Sequence, residues 1–146
     1  MSLLPKFPYD PWMPSDCELD LERRWVKITA SGVLTYDEMV ATRQKFTSDP
    51  NFKPDFYQIY DVRAVIRTTL TASQVGELAK PRIFSSSSRR AVVAPGGETY
   101  GVARMFQIYR GLNHGEEEIK VFRSIEDAEA WLLGRSDTSL RFIAHS

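Results

Sequence analysis

The chain has 146 residues, 42% hydrophobic and 26% charged, with 19 Lys+Arg against 19 Asp+Glu. That size and apolar share suit one globular domain with a real core, and zero formal net charge argues against a dedicated nucleic-acid binder, which carries a basic excess. The single cysteine, Cys17, excludes an internal disulfide and a multi-cysteine zinc site and fits a reducing, cytoplasmic setting, while no apolar run reaches the length of a membrane span.

The first segment alternates prolines with aromatics: Leu4-Pro5-Lys6-Phe7-Pro8-Tyr9-Asp10-Pro11-Trp12-Met13-Pro14. Proline fixes its own φ and restricts the residue before it, so this stretch reads as an extended arm. It lacks the long apolar core of a signal peptide. The expected layout is an arm over 1–16, one domain over 17–134 and a tail over 135–146.

Residues 17–21 alternate loosely and read as an edge strand, with Glu22-Arg23-Arg24 as a turn. Residues 25–32 alternate well, with Val26, Ile28 and Ala30 on one face and Trp25, Lys27 and Thr29 on the other, so the two runs predict a hairpin. Thr35-Tyr36-Asp37-Glu38 is a capping box, and Tyr36, Met39, Val40 and Phe46 follow at near-helical spacing. Asp49-Pro50 closes that helix. Residues 56–62 are aromatic and β-branched and predict a buried strand, followed by an irregular stretch over 63–70. Thr71-Ala72-Ser73-Gln74 is a second capping box that starts a helix through Val75, Leu78 and Ala79, and Pro81 ends it.

Ser85-Ser86-Ser87-Ser88 reads as a loop. Residues 90–94 predict a strand, Gly96-Gly97 turns the chain, and Val102, Met105, Phe106, Tyr109 and Leu112 mark a helix face stopped at Asn113-His114-Gly115. Residues 119–122 predict the last strand. Ser124 caps a helix whose buried stripe is Ile125, Ala128, Trp131 and Leu132, and Gly134 suits its stop. Leu140, Phe142 and Ile143 in the tail are candidates for one more strand.

None of the usual chemical signatures is present. His114 and His145 form no metal-ligand spacing, and Cys17 has no histidine nearby in sequence, so a surface role and a structural thiol are expected. Gly96-Gly97 before a helix is an anion-binding turn by type, yet Pro95-Gly96-Gly97-Glu98 has no Walker lysine and no dinucleotide fingerprint, and Glu98 would repel phosphate. Asp37, Glu38 and the acids of 116–118 read as solvated caps and loops. Arg82, Arg89 and Arg90 around the serine run read as a surface loop able to meet an acidic partner. Neither a catalytic constellation nor a metal site is visible, and no cofactor is implied.

The element order is strand, strand, helix, strand, helix, strand, helix, strand, helix. That order, with Gly32-Val33-Leu34-Thr35-Tyr36-Asp37-Glu38, Tyr60-Asp61-Val62-Arg63, Arg90-Ala91-Val92-Val93-Ala94-Pro95, Tyr100-Gly101-Val102-Ala103-Arg104-Met105 and Val121-Phe122-Arg123-Ser124 followed by Ala128 and Trp131-Leu132, resembles the STAS group of domains, specifically the bacterial SpoIIAA-like or STAS-like family of the anti-sigma-factor antagonist fold. The resemblance covers residues 17–133. It implies an α/β fold with a mixed sheet of about five strands and crossover helices, and a non-catalytic regulatory domain that binds a protein partner, a homodimer included. It also implies a phosphorylated serine at the start of the helix after the third strand, in an Asp-Ser-Ser-Gly-like motif. Ser73 holds the matching place here, but the aspartate and glycine of that pattern are missing. The same broad fold resembles lipid-carrier domains, which implies an alternative: a small lipid or anionic ligand in an opening between sheet and helices.

If the later strands run parallel, their C-terminal ends gather Asp61, Arg63, Arg67, Thr71, Ser73, Pro95, Gly96, Gly97 and Ser124 at one edge, where open sheets with crossover helices place their sites. That edge is the expected place for a peptide, phosphate or carboxylate. Helices on one side alone would leave Trp25, Tyr57 or Tyr60 on an uncovered face.

Overall fold

The computed structural model describes residues 15–114 and 118–134. Residues 1–14 of the expected arm, the C-terminal tail with its candidate strand, and His145 lie outside them, while Ser15 and Asp16, expected in the arm, begin the first strand. The described chain runs β1 (Ser15–Asp20), β2 (Trp25–Leu34), α1 (Tyr36–Thr47), β3 (Tyr57–Thr68), α2 (Ala72–Leu78), β4 (Arg89–Val93), α3 (Gly97–His114), β5 (Glu118–Phe122) and α4 (Ile125–Leu132). The predicted order of elements holds throughout.

The five strands form one sheet in chain order, β1-β2-β3-β4-β5. The β1–β2 pair is the expected antiparallel hairpin, with Cys17 opposite Ile28, and Arg24 turns it at φ 62°. Strands β2 to β5 are all parallel. Each new strand is added on the same side of the last, so crossovers of one hand carry α1, α2 and α3 to the same face.

Strand alternation then sorts the core. Val26 and Ile28 of β2 pack with Phe46, Phe56 and Phe84, and Ala30 packs with Leu34, Val62, Ala94 and Ala103 beneath the crossover helices. The residues of opposite parity, Trp25, Ile59, Ala91 and Val93, meet Ala128, Trp131 and Leu132 of α4 on the other face. The expectation of an uncovered face is therefore corrected. Helix α4 covers β3 to β5, Trp25 is only 3% exposed, and Tyr60 points to the crossover side.

Two elements depart from the sequence reading. Strand β3 is longer than expected: residues 63–68, predicted as irregular, continue the strand and pair with β2 out to Leu34 opposite Thr68. This extension has β2 as its ladder partner while β4 stops at Asp61 opposite Val93. A ribbon with solvent around it shows no clean alternation of burial, and two register shifts, at Thr29/Ser31 and Gly32/Val33, blur it further. Leu112, expected on the buried face of α3, is 78% exposed. It lies two residues past buried Arg110, hence on the opposite side of a helix that turns about 100° per residue.

The caps follow the predicted chemistry. Thr71 makes the full capping box: its hydroxyl accepts from the Gln74 N–H, and the Gln74 side chain accepts from the Thr71 N–H. Thr35 makes half of one, accepting from the Glu38 N–H at 3.1 Å. Ser124 accepts from the Asp127 N–H at 3.2 Å. Among the described residues no helix is long and apolar enough to cross a membrane.

Candidate functional site

A partly enclosed chamber of about 100 Å³ lies between the sheet and the three crossover helices. Its floor is the alternate face of the strands: Ile28, Gln58, Tyr60, Val62, Val92 and Ile119. Helix α1 contributes Met39, Thr42 and Phe46, α2 contributes Val75 and Leu78, and α3 contributes Thr99, Val102 and Phe106. One end is closed by the long β2–β3 ribbon through Leu34, Thr68 and Leu70. The ribbon is held there because the Thr68 N–H donates to Glu98 Oε1 at 2.8 Å and the Thr68 hydroxyl to the Leu34 carbonyl at 2.9 Å.

Three arginines, Arg43, Arg90 and Arg110, line this largely apolar space beside the polar groups of Thr42, Gln58, Tyr60, Thr68 and Thr99, and among the described residues no aspartate or glutamate does. Arg110 of α3 is 2% exposed and Arg90 of β4 is 5% exposed. The guanidinium of Arg43 donates to the Leu78 carbonyl at 2.9 Å, and Arg110 donates to the Ala79 carbonyl at 2.8 Å and to that of Pro81. The ring of His114 meets the Lys80 carbonyl at 2.7 Å. Four successive carbonyls at the C-terminal end of α2 are thus met by basic side chains from α1 and α3, as a helix end and its dipole favour. Arg90 stacks over the Phe84 ring at 5.3 Å.

Carbonyl hydrogen bonds to a cation are worth about 1.5–3 kcal/mol each, and removing a cation from water costs several kcal/mol even after relaxation. The bonds therefore hold Arg43 and Arg110 in place at the end of α2. Burial first, and the Arg110 charge second, push the Arg43 guanidinium below its ordinary range.

Tyr60 stands on the chamber floor beside Arg43. Its hydroxyl is buried and meets no hydrogen-bond partner among the described residues. Burial raises the Tyr60 phenol well above its ordinary range, and the Arg43 charge opposes that rise. Glu38 acts on Tyr60 from a distance but does not line the space. Partial burial raises the Glu38 carboxyl.

The residues expected at the sheet edge separate into several settings. Asp61 and Arg63 form an ion pair at 2.8 Å on the α4 side, where Glu126 and Glu129 add to the field on Arg63. Arg67 is exposed on the β3 extension. Thr71 is used in its cap, and Ser73 is exposed in the first turn of α2. Ser73 lies on a shallow groove between α2 and α3 with Gly76, Glu77, Lys80, Tyr109, Leu112 and Asn113. Gly96 sits near Arg123, which donates to the Pro95 carbonyl at 3.0 Å and stacks on Tyr100 at 4.4 Å, while Gly97 at φ +67° has open space beside it. Ser124 caps α4.

The Arg82–Arg90 region is corrected in part. Arg90 is buried in the chamber wall, and Ser88 is fully buried with its hydroxyl donating to the Phe56 carbonyl at 2.6 Å. Cys17 is half-buried against the Phe46–Phe84 cluster. Among the described residues no group of three His, Cys, Asp or Glu side chains could hold a metal ion.

No protein-family model matches the chain, and no curated protein does. A solved structure does match. It is an uncharacterized DUF3478-family protein with a SpoIIAA-like fold from Shewanella loihica PV-4, 18% identical, with a TM-score of 0.53 over 81% of this chain and 93% of that one. The fold is SpoIIAA-like. In this SpoIIAA-like frame the chamber occupies the space between the sheet and the crossover helices, with Arg43 from α1, Tyr60 from β3, Arg90 from β4 and Arg110 from α3 converging on it.

That convergence was hidden from sequence reading. Its one local trace is Arg110, which falls seven residues after Ala103 and four after Phe106, on the same face of α3. A charged residue inside an apolar stripe is the signal that marks a polar group turned inward.

Proposed function

We propose that the domain is a non-catalytic binding module whose chamber holds a small molecule. The observation that carries this reading is the chamber itself: an apolar space with a few inward polar groups, the ordinary make-up of a ligand site. The chamber is formed by residues of β2, β3, β4 and β5 and all three crossover helices, so its shape depends on the whole fold. Native mass spectrometry of the full chain, purified under mild conditions, tests the reading. The expected result is a retained small-molecule mass that is lost when Val102→Phe fills the space. Retention indifferent to Val102→Phe, or bare protein that takes up no small apolar compound, contradicts it.

A regulatory, partner-docking role is the second reading, and the α2–α3 surface favours it. Leu112 is 78% exposed on α3 in the groove with Ser73 and Lys80, and Ile108, one turn earlier on α3, is 54% exposed. Exposed apolar groups gathered on one face are a usual mark of protein contact. On this reading a second copy of the chain docks there, and a phosphate on Ser73 alters the contact by adding charge at its rim. The edge of Asp61, Arg63, Arg67, Thr71, Gly96 and Gly97 is a further docking proposal within the same role. Light scattering of the full chain and of Leu112→Glu tests it: a dimer that becomes a monomer supports the reading, and a monomer in both opposes it.

A further inference from the structure

The outer surface of α2 and α3 carries an apolar ridge beside a groove. Ile108 and Leu112 are four residues apart on α3, so they share one face of that helix. Both are large apolar groups left in water. Leu112 also lines the groove, where it stands with Tyr109 across from Ala72 and Gly76 of α2, and Glu77 and Lys80 complete the α2 side.

Gly76 keeps that groove open. It lies inside α2 without a left-handed φ, and a Cβ there would meet only the Tyr109 ring, at 3.8 Å, an ordinary van der Waals contact. Alanine would therefore fit and would favour the helix. Nothing within the described chain requires glycine at this position. Any longer side chain would occupy part of the groove that Gly76 and Tyr109 line together.

Ridge and groove lie next to each other on one surface, and a two-fold contact needs that arrangement. The same patch meets itself, so each copy must present both the projection and the recess that takes it. The charges agree. Glu77 and Lys80 pair at 2.8 Å and are both exposed, so the rim carries each sign once. A strongly charged foreign partner would find no excess to answer it. A second copy turned by the two-fold sets each Glu77 toward the other Lys80 and leaves no charge over.

Size sets the strength. Helix α3, with 18 residues, is about 27 Å long and α2, with seven, about 10 Å. Faces of that length offer on the order of 400 Å² per copy, about half of the roughly 800 Å² in a standard stable contact. The association is therefore reversible and belongs to concentrations of about 100 μM rather than nanomolar ones.

We propose that this face is the contact between two copies of the chain, each seating its Leu112 on Gly76 of the other. The proposal rests on the second-copy reading above and adds where the two copies touch and why position 76 is glycine.

The test joins light scattering of the full chain, from about 10 μM to about 1 mM, with directed cross-linking. In a Cys17→Ser background, Leu112→Cys and Gly76→Cys chains are mixed under oxidised glutathione. The expected result is a reversible dimer, with the mixture forming a disulfide-linked dimer at least about tenfold faster than either variant alone. Gly76→Gln fills the groove with a polar chain. It should raise the dimer Kd at least about tenfold while the denaturation midpoint of the monomer holds or rises. A dimer whose mixed variants link no faster than each alone, or whose Kd ignores Gly76→Gln, overturns this seat and leaves the second-copy reading intact. A monomer at every concentration overturns both.

Discussion

Arg43 and Arg110 reach the C-terminal end of α2 from opposite helices, Arg43 to the Leu78 carbonyl at 2.9 Å and Arg110 to the Ala79 carbonyl at 2.8 Å. Two like charges approach each other because each has a helix terminus to bind. The short helix α2 is thereby tied down at its last turn, while the Thr71–Gln74 box closes its first.

Removing one of these ties should loosen α2 before the rest of the fold. Arg110→Met keeps much of the side-chain stem but leaves the Ala79 and Pro81 carbonyls short of a donor. Orphaned buried carbonyls cost about 1–3 kcal/mol each, so for the two a loss of about 2–6 kcal/mol is expected in chemical denaturation. Hydrogen exchange should speed up first in α2. A neutral or stabilised Arg110→Met would mean that desolvating the charge costs more than its bonds return.

Ser88 closes a serine run that reads as loop, yet it is fully buried on the Phe56 carbonyl. Ser88→Ala should cost about 1–2 kcal/mol, by the loss of one buried hydrogen bond. Ser86→Ala, at an exposed neighbour, should leave the denaturation midpoint in place. Equal effects at the two sites would count against the burial of Ser88.

The difference between Ser86 and Ser88 shows what the sequence conceals. Local patterns were legible: the alternation of 25–32 made β2, Thr71 with Gln74 made a cap, and Ile125, Ala128, Trp131 and Leu132 made the buried side of α4. The family resemblance supplied the fold, which the solved neighbour supports. The chamber was not legible, because Arg43, Tyr60, Arg90 and Arg110 are brought together by tertiary packing across wide sequence separations. Charge also misdirects: Arg90 reads as a surface residue until the sheet places it under Phe84. The β3 extension stayed hidden because its pairing with β2 lies outside any local window.

Two glycines of α3 should respond to alanine in opposite directions. Gly97 has φ +67° with open space around its Cβ position, so Gly97→Ala costs only backbone strain, about 1–2 kcal/mol. Gly101 lies inside the helix with equally open surroundings and no left-handed φ, so Gly101→Ala should stabilise by about 0.5–1 kcal/mol. Thermal unfolding of both variants checks the pair, and shifts of the same sign would contradict the backbone at one of them.

Cys17 offers a pH test. Burial, the largest cause, raises its thiol from 9.0 to about 11, with Lys45 opposing. The unfolded thiol therefore ionises at lower pH than the folded one. The contribution to stability is fully present below pH 9.0 and is lost as pH rises through about 11. Thiolate absorbance should show a midpoint near 11 in the folded protein and near 9.0 in denaturant. Tyr60 shifts in the same sense, so the Cys17→Ser variant is needed to separate the two in stability curves. A folded-state midpoint at 9.0 would place Cys17 in water.

The most direct test of the central claim is methyl NMR of the full chain titrated with a small apolar compound. Ligand in the chamber predicts shifts concentrated on the methyls of Met39, Val62, Val75, Val92 and Val102, all of which line it. Unmoved spectra, or shifts confined to exposed Ile66, Ile108 and Leu112, would contradict a binding chamber and move the function to the surface.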